Sequence, residues 1–442
     1  MYDDTAKRGI STPHNTPLTT STAMPILILD GGMGTTLEAD GHDVSGPMWG
    51  SELVSRNPEA LANVHARYVS AGADIIETAT YQMTLPALVG LGHDEATARA
   101  LMHRAVSLAA DLTAPNSSPA TLSSTLSAVA SALKPTPAKE PPKHKHKVAL
   151  ALGPYGATLS PGQEYDGLYP PPYGPAGYSP SSQATNYAPP EDEAAYEAAL
   201  TQFHLDRLRV YAAAPSWPRV AWLAFETIPL LREIRAIRRA VGALRAELGD
   251  AKPFWISSAY PNGSIGQRDA RGQPADMSAV AAALVGDLPP LAPFDGAPRP
   301  DGVGVNCTHP TRLPVLLGAL SGAITAHARR RKQAKAGAVP APDGQAQKGS
   351  APHAPWLILY PDGGASYDVV NKKWTDRIFT PLAWAERVLA LAHEAEATGV
   401  WTGVVLGGCC KSSFEEVASL RALVDRPTER RWEESVRRAE EI

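Results

Sequence analysis

Cysteine is nearly absent: Cys307, Cys409 and Cys410 are the three in 442 residues. So odd and sparse a set argues against a disulfide scaffold. Two of them are chain neighbours, a poor arrangement for bonding to each other. An excess of either charge is also missing, with 41 Lys and Arg against 45 Asp and Glu, a formal net of −4. That balance leaves no electrostatic footprint for nucleic acid or an anionic membrane surface. No run of about 18 apolar residues occurs, so no membrane-spanning helix is expected. The first residues, MYDDTAKRGISTPHNTPLTTSTAMP, lack the apolar core of a secretory signal. Residues 1–24 read as a disordered extension, and a reducing, cytoplasmic setting is the expectation.

Apolar residues make up 44% of the chain, enough for a large core. Eight short apolar runs bounded by Gly, Pro or polar residues have the form of buried strands: 26–29, 73–76, 148–152, 220–225, 254–259, 302–305, 356–360 and 403–406. Between and after them lie eight segments with helical spacing: 59–72, 94–112, 191–214, 230–248, 275–285, 311–330, 381–395 and 412–424. Eight alternations fit a (β/α)8 barrel over residues 25–425. A doubly wound sheet is the alternative, but no GxGxxG opens a helix after the first run. Proline is in excess, 41 residues or about 9% against an ordinary share of about 5%. It concentrates in four low-complexity stretches, 114–147, 168–191, 286–301 and 331–354, which read as insertions with too little apolar surface to offset their ordering entropy. The HKHK at 144–147 reads as a solvated basic loop end, and 426–442 as a charged tail.

The three cysteines fall where a barrel would use them. Cys307 ends the sixth run (GVGVNC), and Cys409 with Cys410 ends the eighth (GVVLGGCC). In a barrel these ends share one mouth. Three thiolates there suit Zn²⁺ and leave its fourth position open, the pattern of a catalytic site. Adjacent residues on a strand face opposite ways. Both Cys409 and Cys410 can ligate only if the chain turns sharply, and Gly407 and Gly408 would give that freedom. The other reading is three buried thiols packed as small hydrophobes. His309 is a spare ligand candidate or an ordinary loop histidine. Asp30 and Glu226 follow the first and fourth runs. Such carboxylates either grip a cationic ammonium group or cap helices.

The motifs LDGGMGTTLE (29–38), GADIIETATYQ (72–82), LGPYGATLSPGQEYDGLY (152–169), FETIPLLREI (225–234), GVNCTHP (304–310), YPDGGASYD (360–368) and GGCCKSS (407–413) together resemble the homocysteine S-methyltransferase family in its fungal, insertion-bearing form. The resemblance implies a zinc-bearing barrel that makes methionine from homocysteine. Cys307, Cys409 and Cys410 match its zinc ligands. Asp30 and Glu226 match acids near the homocysteine amino group, Thr78 a position at the amino-acid end, and Asn306 a substrate-site position beside the first ligand. The stretch FETIPLLREI is more like the branch using S-methylmethionine than the betaine branch, and S-adenosylmethionine is a second candidate donor. One departure is Ala365, where many relatives carry an acid. Betaine- or selenocysteine-directed transfer, and a non-catalytic barrel with structural zinc, are the alternatives. The implied partners are small molecules, with neither nucleic acid nor membrane among them.

Overall fold

The computed structural model describes residues 23–112, 146–181, 184–294, 296–336, 354–365, 367–368, 373–374 and 377–426. The expected N-terminal extension, the C-terminal tail and the insertions at 114–147 and 331–354 lie wholly or mostly outside these residues.

Eight strands form one parallel sheet: β1 (Ile26–Ile28), β2 (Ile75–Glu77), β3 (Lys147–Leu152), β4 (Val220–Phe225), β5 (Phe254–Ser258), β6 (Gly302–Asn306), β7 (Trp356–Tyr360) and β8 (Val404–Leu406). Pairing runs β1-β8-β7-β6-β5-β4-β3-β2, and a bridge between Leu29 and Ile75 joins the two ends into a barrel. One main helix follows each strand: α1 (Pro58–Ser70), α2 (Glu95–Ala110), α3 (Pro190–Ala212), α4 (Leu231–Leu248), α5 (Met277–Val285), α6 (Leu313–Ala336), α7 (Pro381–Ala397) and α8 (Phe414–Val424). This is the (β/α)8 architecture, and no described helix is long and apolar enough to cross a membrane.

Local chemistry sets the element ends. Side chains of Asn57, Asp94, Asp276 and Thr380 cap α1, α2, α5 and α7 by accepting from backbone N–H groups. Ser413 and Glu416 form a capping box on α8. Gly249 ends α4 in the left-handed conformation. Strand alternation then sorts the core. Leu29, Ile75, Ala149, Trp222, Trp255, Ile358 and Val405 fill the lumen. Their neighbours Ile28, Ile76, Leu150, Leu223, Ile256, Leu357 and Leu406 belong to the core packed under the helices.

Two proline-rich stretches behave differently from the expectation drawn from their composition. Within 168–191, Tyr169 is fully buried, its hydroxyl donating to Glu233 Oε2 at 2.7 Å. Asn186 Nδ2 donates to the carbonyls of Asp166 and Gly266. Within 286–301, Arg238 donates to Gly286, Ala297 and Pro298, and Arg239 to Pro289 and Phe294, all at backbone oxygens. These segments order by polar anchoring, much of it to α4, together with apolar burial of Tyr169 and Phe294. At the basic end, Lys147 opens β3, and His146 Nε2 lies 2.9 Å from the Ala109 carbonyl.

Candidate active site at the barrel mouth

The C-terminal ends of β6 and β8 bring the three cysteine sulfurs within 4.8 Å of one another. Sγ of Cys409 and Sγ of Cys410 are 4.0 Å apart. Cys307 and Cys409 are joined as a disulfide, with Cα atoms 5.3 Å apart, and Cys410 is free. The sequence, with its odd and sparse cysteine set, points instead to three reduced thiols. Sulfurs gathered this closely are within bonding reach of one another, so the ligand set exists in the reduced chain. As thiolates the donors fit Zn²⁺: three soft ligands from two strand ends, with a separation near the ~3.8 Å edge of a tetrahedron with Zn–S bonds of about 2.3 Å. Burial pushes the Cys410 thiol up to about 12, with Asp362, Glu226 and Glu164 adding repulsion. A cation among these sulfurs is therefore what would hold them as thiolates.

The turn that lets neighbouring cysteines converge differs from the one expected. Neither Gly407 nor Gly408 has a positive φ, whereas Lys411 sits at φ 60°. The glycines permit close approach instead: a Cβ at Gly407 would meet Leu29 Cβ at 2.6 Å, and one at Gly408 would meet Ser412 Oγ at 2.0 Å. Ser412 closes the turn, its N–H and Oγ both donating to the Cys409 carbonyl. Cys307 (φ 42°), Thr227 (φ 62°) and Trp49 (φ 48°) are further left-handed non-glycine residues, and all three line the pocket. Backbone strain is thus collected at the mouth.

The pocket beside the sulfurs holds Asp30, Glu77, Thr78 and Glu226 in its wall, with Trp49, Tyr81, Tyr165 and Tyr360 around them. Its empty space is about 880 Å³, counting the opening. Asp30 follows β1 and is 2% exposed; its Oδ2 accepts from the Glu77 N–H at 3.0 Å, and its Oδ1 is buried without a partner. Burial, then repulsion from Glu226, drives Asp30 well above the usual carboxylate range, against the Glu77 hydrogen bond. Burial pushes Glu226 up to about 7, opposed by a Tyr360 hydrogen bond and the Arg207 charge.

The remaining expected site residues divide. Thr78 lines the pocket, but its hydroxyl is committed. Thr80 Oγ1 donates to the Ala151 carbonyl, so the 2.6 Å contact between Thr78 and Thr80 uses the Thr78 proton. Thr78 Oγ1 also accepts from the Ala151 N–H. Asn306 is fully buried behind the wall and does not line the pocket. Its Oδ1 accepts from the Thr227 N–H at 2.9 Å and its Nδ2 donates to Thr227 Oγ1 at 2.7 Å, fixing that strained residue. His309 caps a 3-10 turn by accepting from the Thr311 N–H and stands apart from the sulfur cluster. Ala365 is buried. Sequence reasoning missed Glu77, whose signal was available: like Asp30 and Glu226, it is an acid at a strand end.

A sequence model of the homocysteine S-methyltransferase family matches residues 27–424. The homocysteine S-methyltransferase YbgG of Bacillus subtilis is 28% identical over 398 residues, covering 90% of this chain and 94% of the relative. The homocysteine S-methyltransferase of Escherichia coli is 26% identical over 400 residues, covering 90% and 94%. Among solved structures, the metallated form of the homocysteine methyltransferase MmuM from Escherichia coli shares the fold, with a TM-score of 0.53 and 23% identity over 90% of this chain and 96% of that one. The family match runs from the first barrel strand to the last helix, with the cysteine mouth and its carboxylates inside it: the chain belongs to the homocysteine S-methyltransferase family.

Proposed function

We propose that the protein transfers a methyl group from a sulfonium donor, S-methylmethionine or S-adenosylmethionine, to the sulfur of L-homocysteine, forming methionine, with Zn²⁺ held by Cys307, Cys409 and Cys410. The observation that carries this reading is the meeting of three cysteine sulfurs with buried, unpaired carboxylate oxygen in one pocket. A free thiol has a pKa of about 8.5 and is mostly protonated at neutral pH. Bound zinc would supply the Lewis acidity that keeps the incoming thiol deprotonated.

The chain's own residues do the rest. Asp30 and Glu226 receive the ammonium end of homocysteine, which points its thiol at the cysteine mouth. Trp49, Tyr81, Tyr165 and Tyr360 line the space with ring surface and limit water around the reacting atoms. Homocysteine sulfur forms the new S–CH₃ bond while the donor's C–S⁺ bond breaks, its electron pair returning to the donor sulfur. The thiol proton passes to water before transfer, and the donor leaves as a neutral thioether without needing a proton, so the site requires positioning more than an acid.

The test is a donor panel assayed by methionine formation, with zinc analysis of the same samples and Cys409→Ala alongside. Reduced wild-type protein should carry zinc and make methionine from a sulfonium. Cys409→Ala should lose the metal and fall to roughly a thousandth of that rate or less. Full activity in Cys409→Ala would overturn the reading, and turnover with betaine alone would replace the sulfonium by a quaternary ammonium donor.

A further inference from the structure

Glu77 has no assigned role, yet it lines the pocket. Ile75 faces the lumen, and a strand repeat of two puts Glu77 on the same side at the end of β2. Its Oε1 is buried without a hydrogen-bond partner, as is Oδ1 of Asp30. Its own N–H holds the other oxygen of Asp30, so the two acids are positioned together.

No side chain of the described residues forms an ion pair with Asp30, Glu77 or Glu226. Arg207 is the cation whose field reaches Glu226, but its guanidinium is spent on the carbonyls of Thr80, Tyr81, Met83 and Gly153. Among the described residues no cation balances these acids as carboxylates, so protons keep them neutral in the empty pocket and a cationic ligand can replace those protons. An ammonium group has three N–H donors in a compact head, and three carboxylates offer it one acceptor each.

We propose that Glu77 is the third carboxylate of the amino-acid subsite, accepting one N–H of the homocysteine ammonium beside Asp30 and Glu226 and setting the preference for thiols that carry that group. This rests on the homocysteine reading above. Burial, with repulsion from Glu226 and Asp30, also drives the Glu77 carboxyl well above its usual range. The ligand-free pocket is thus held in an unfavourable state that a bound cation relieves.

The experiment compares zinc-loaded wild type with Glu77→Gln and Glu77→Asp. Losing one charge-assisted hydrogen bond should raise KM for homocysteine about tenfold or more, with kcat and the donor KM less affected. The preference for homocysteine over 4-mercaptobutanoic acid, which lacks only the amino group, should shrink by a similar factor. Glu77→Asp should recover part of both. Homocysteine should raise the melting temperature of wild type more than that of Glu77→Gln, while the ligand-free melting temperature of Glu77→Gln is equal or higher. An unchanged homocysteine KM, or a shift confined to the donor KM, overturns the assignment while the methyltransferase reading stands. Homocysteine-induced stabilisation lost in Glu77→Gln, in a wild type that forms no methionine from any donor, would leave the assignment and remove that reading.

Discussion

Acids are buried in two regions of this molecule, and they are treated in opposite ways. Along the α3–α4 seam, the buried Glu197 and Glu233 and the partly exposed Glu193 are all matched. Glu197 accepts from Arg235 at 2.5 Å and Arg239 at 2.6 Å; Glu193 accepts from Arg232 at 3.1 Å and Arg235 at 2.8 Å. Glu233, fully buried, accepts from the Tyr155 N–H and the Tyr169 hydroxyl, with His204 Nε2 at 3.0 Å. At the mouth, Asp30 and Glu77 keep buried oxygens with no partner. Burial alone therefore does not single out the candidate acids; Asp30 and Glu77 differ from the seam in keeping buried oxygens without an internal partner. The seam fixes the shell, and the pocket leaves its charge to be completed from outside.

Breaking the seam should give the largest stability effect. Glu197→Ala strips Arg239, a 2% exposed guanidinium, of its only carboxylate among the described residues. Removing one partner of a buried pair costs about 3–5 kcal/mol, because the remaining charge has no solvent to return to. Urea unfolding should show a loss of that order, while kcat/KM of the folded fraction stays near wild type. A loss under about 1 kcal/mol would mean that the seam is no better matched than a surface pair.

A change at the mouth should act with the opposite sign. Glu226 is pushed up to about 7 by burial, against about 4.3 for a free glutamate. The folded, ligand-free chain therefore prefers its protonated form. The stability this group contributes is complete below the unfolded pKa and is lost as pH rises through about 7. Between about pH 5 and pH 8, reduced, metal-free wild type should lose stability relative to Glu226→Gln by on the order of 2 kcal/mol. Parallel urea profiles for the two proteins would show that Glu226 is not held uncharged. The same substitution should weaken homocysteine binding, so the variant that is steadier at neutral pH is the poorer enzyme.

The sequence revealed these regions unequally. The eight strands were legible because each is a short apolar run cut off by Gly, Pro or a polar residue. The cysteines, Asp30 and Glu226 were legible because each follows such a run. Glu77 escaped because the second run was read as ending at Ile76, which left the true last strand residue in a loop. That shift by one residue hides a whole functional group. The sequence puts Asn306 beside a ligand but does not say on which side of the wall: adjacency says nothing about where a side chain faces, and Asn306 bears on the pocket through Thr227. The seam was harder still. Composition presents Glu193, Glu197, Arg235 and Arg239 as the solvated face of two helices. The ordering of 286–301 depends on guanidinium groups meeting bare carbonyl oxygens, for which a proline-rich segment carries no sequence sign. Nor does any local pattern show that the Cys409–Cys410 turn is made by Lys411 and Ser412 rather than by the two glycines before it.

The smallest effect should come from a pair whose geometry equals that of the seam and whose surroundings do not. Arg99 and Glu95 on α2 meet at 2.6 Å in an i,i+4 pair, with side chains 44% and 64% exposed. The distance is the same as between Arg239 and Glu197. Water screens both charges in either state, and long side chains lose rotamer freedom to hold the contact. Arg99→Ala should therefore shift urea unfolding by only a few tenths of a kcal/mol. Half of that small effect should vanish on adding salt to roughly 1 M, where the screening length falls to about 3 Å. A loss approaching that of Glu197→Ala would break the comparison at its root. It would mean that the N–O distance, and not the removal of water, decides what an ion pair contributes in this barrel.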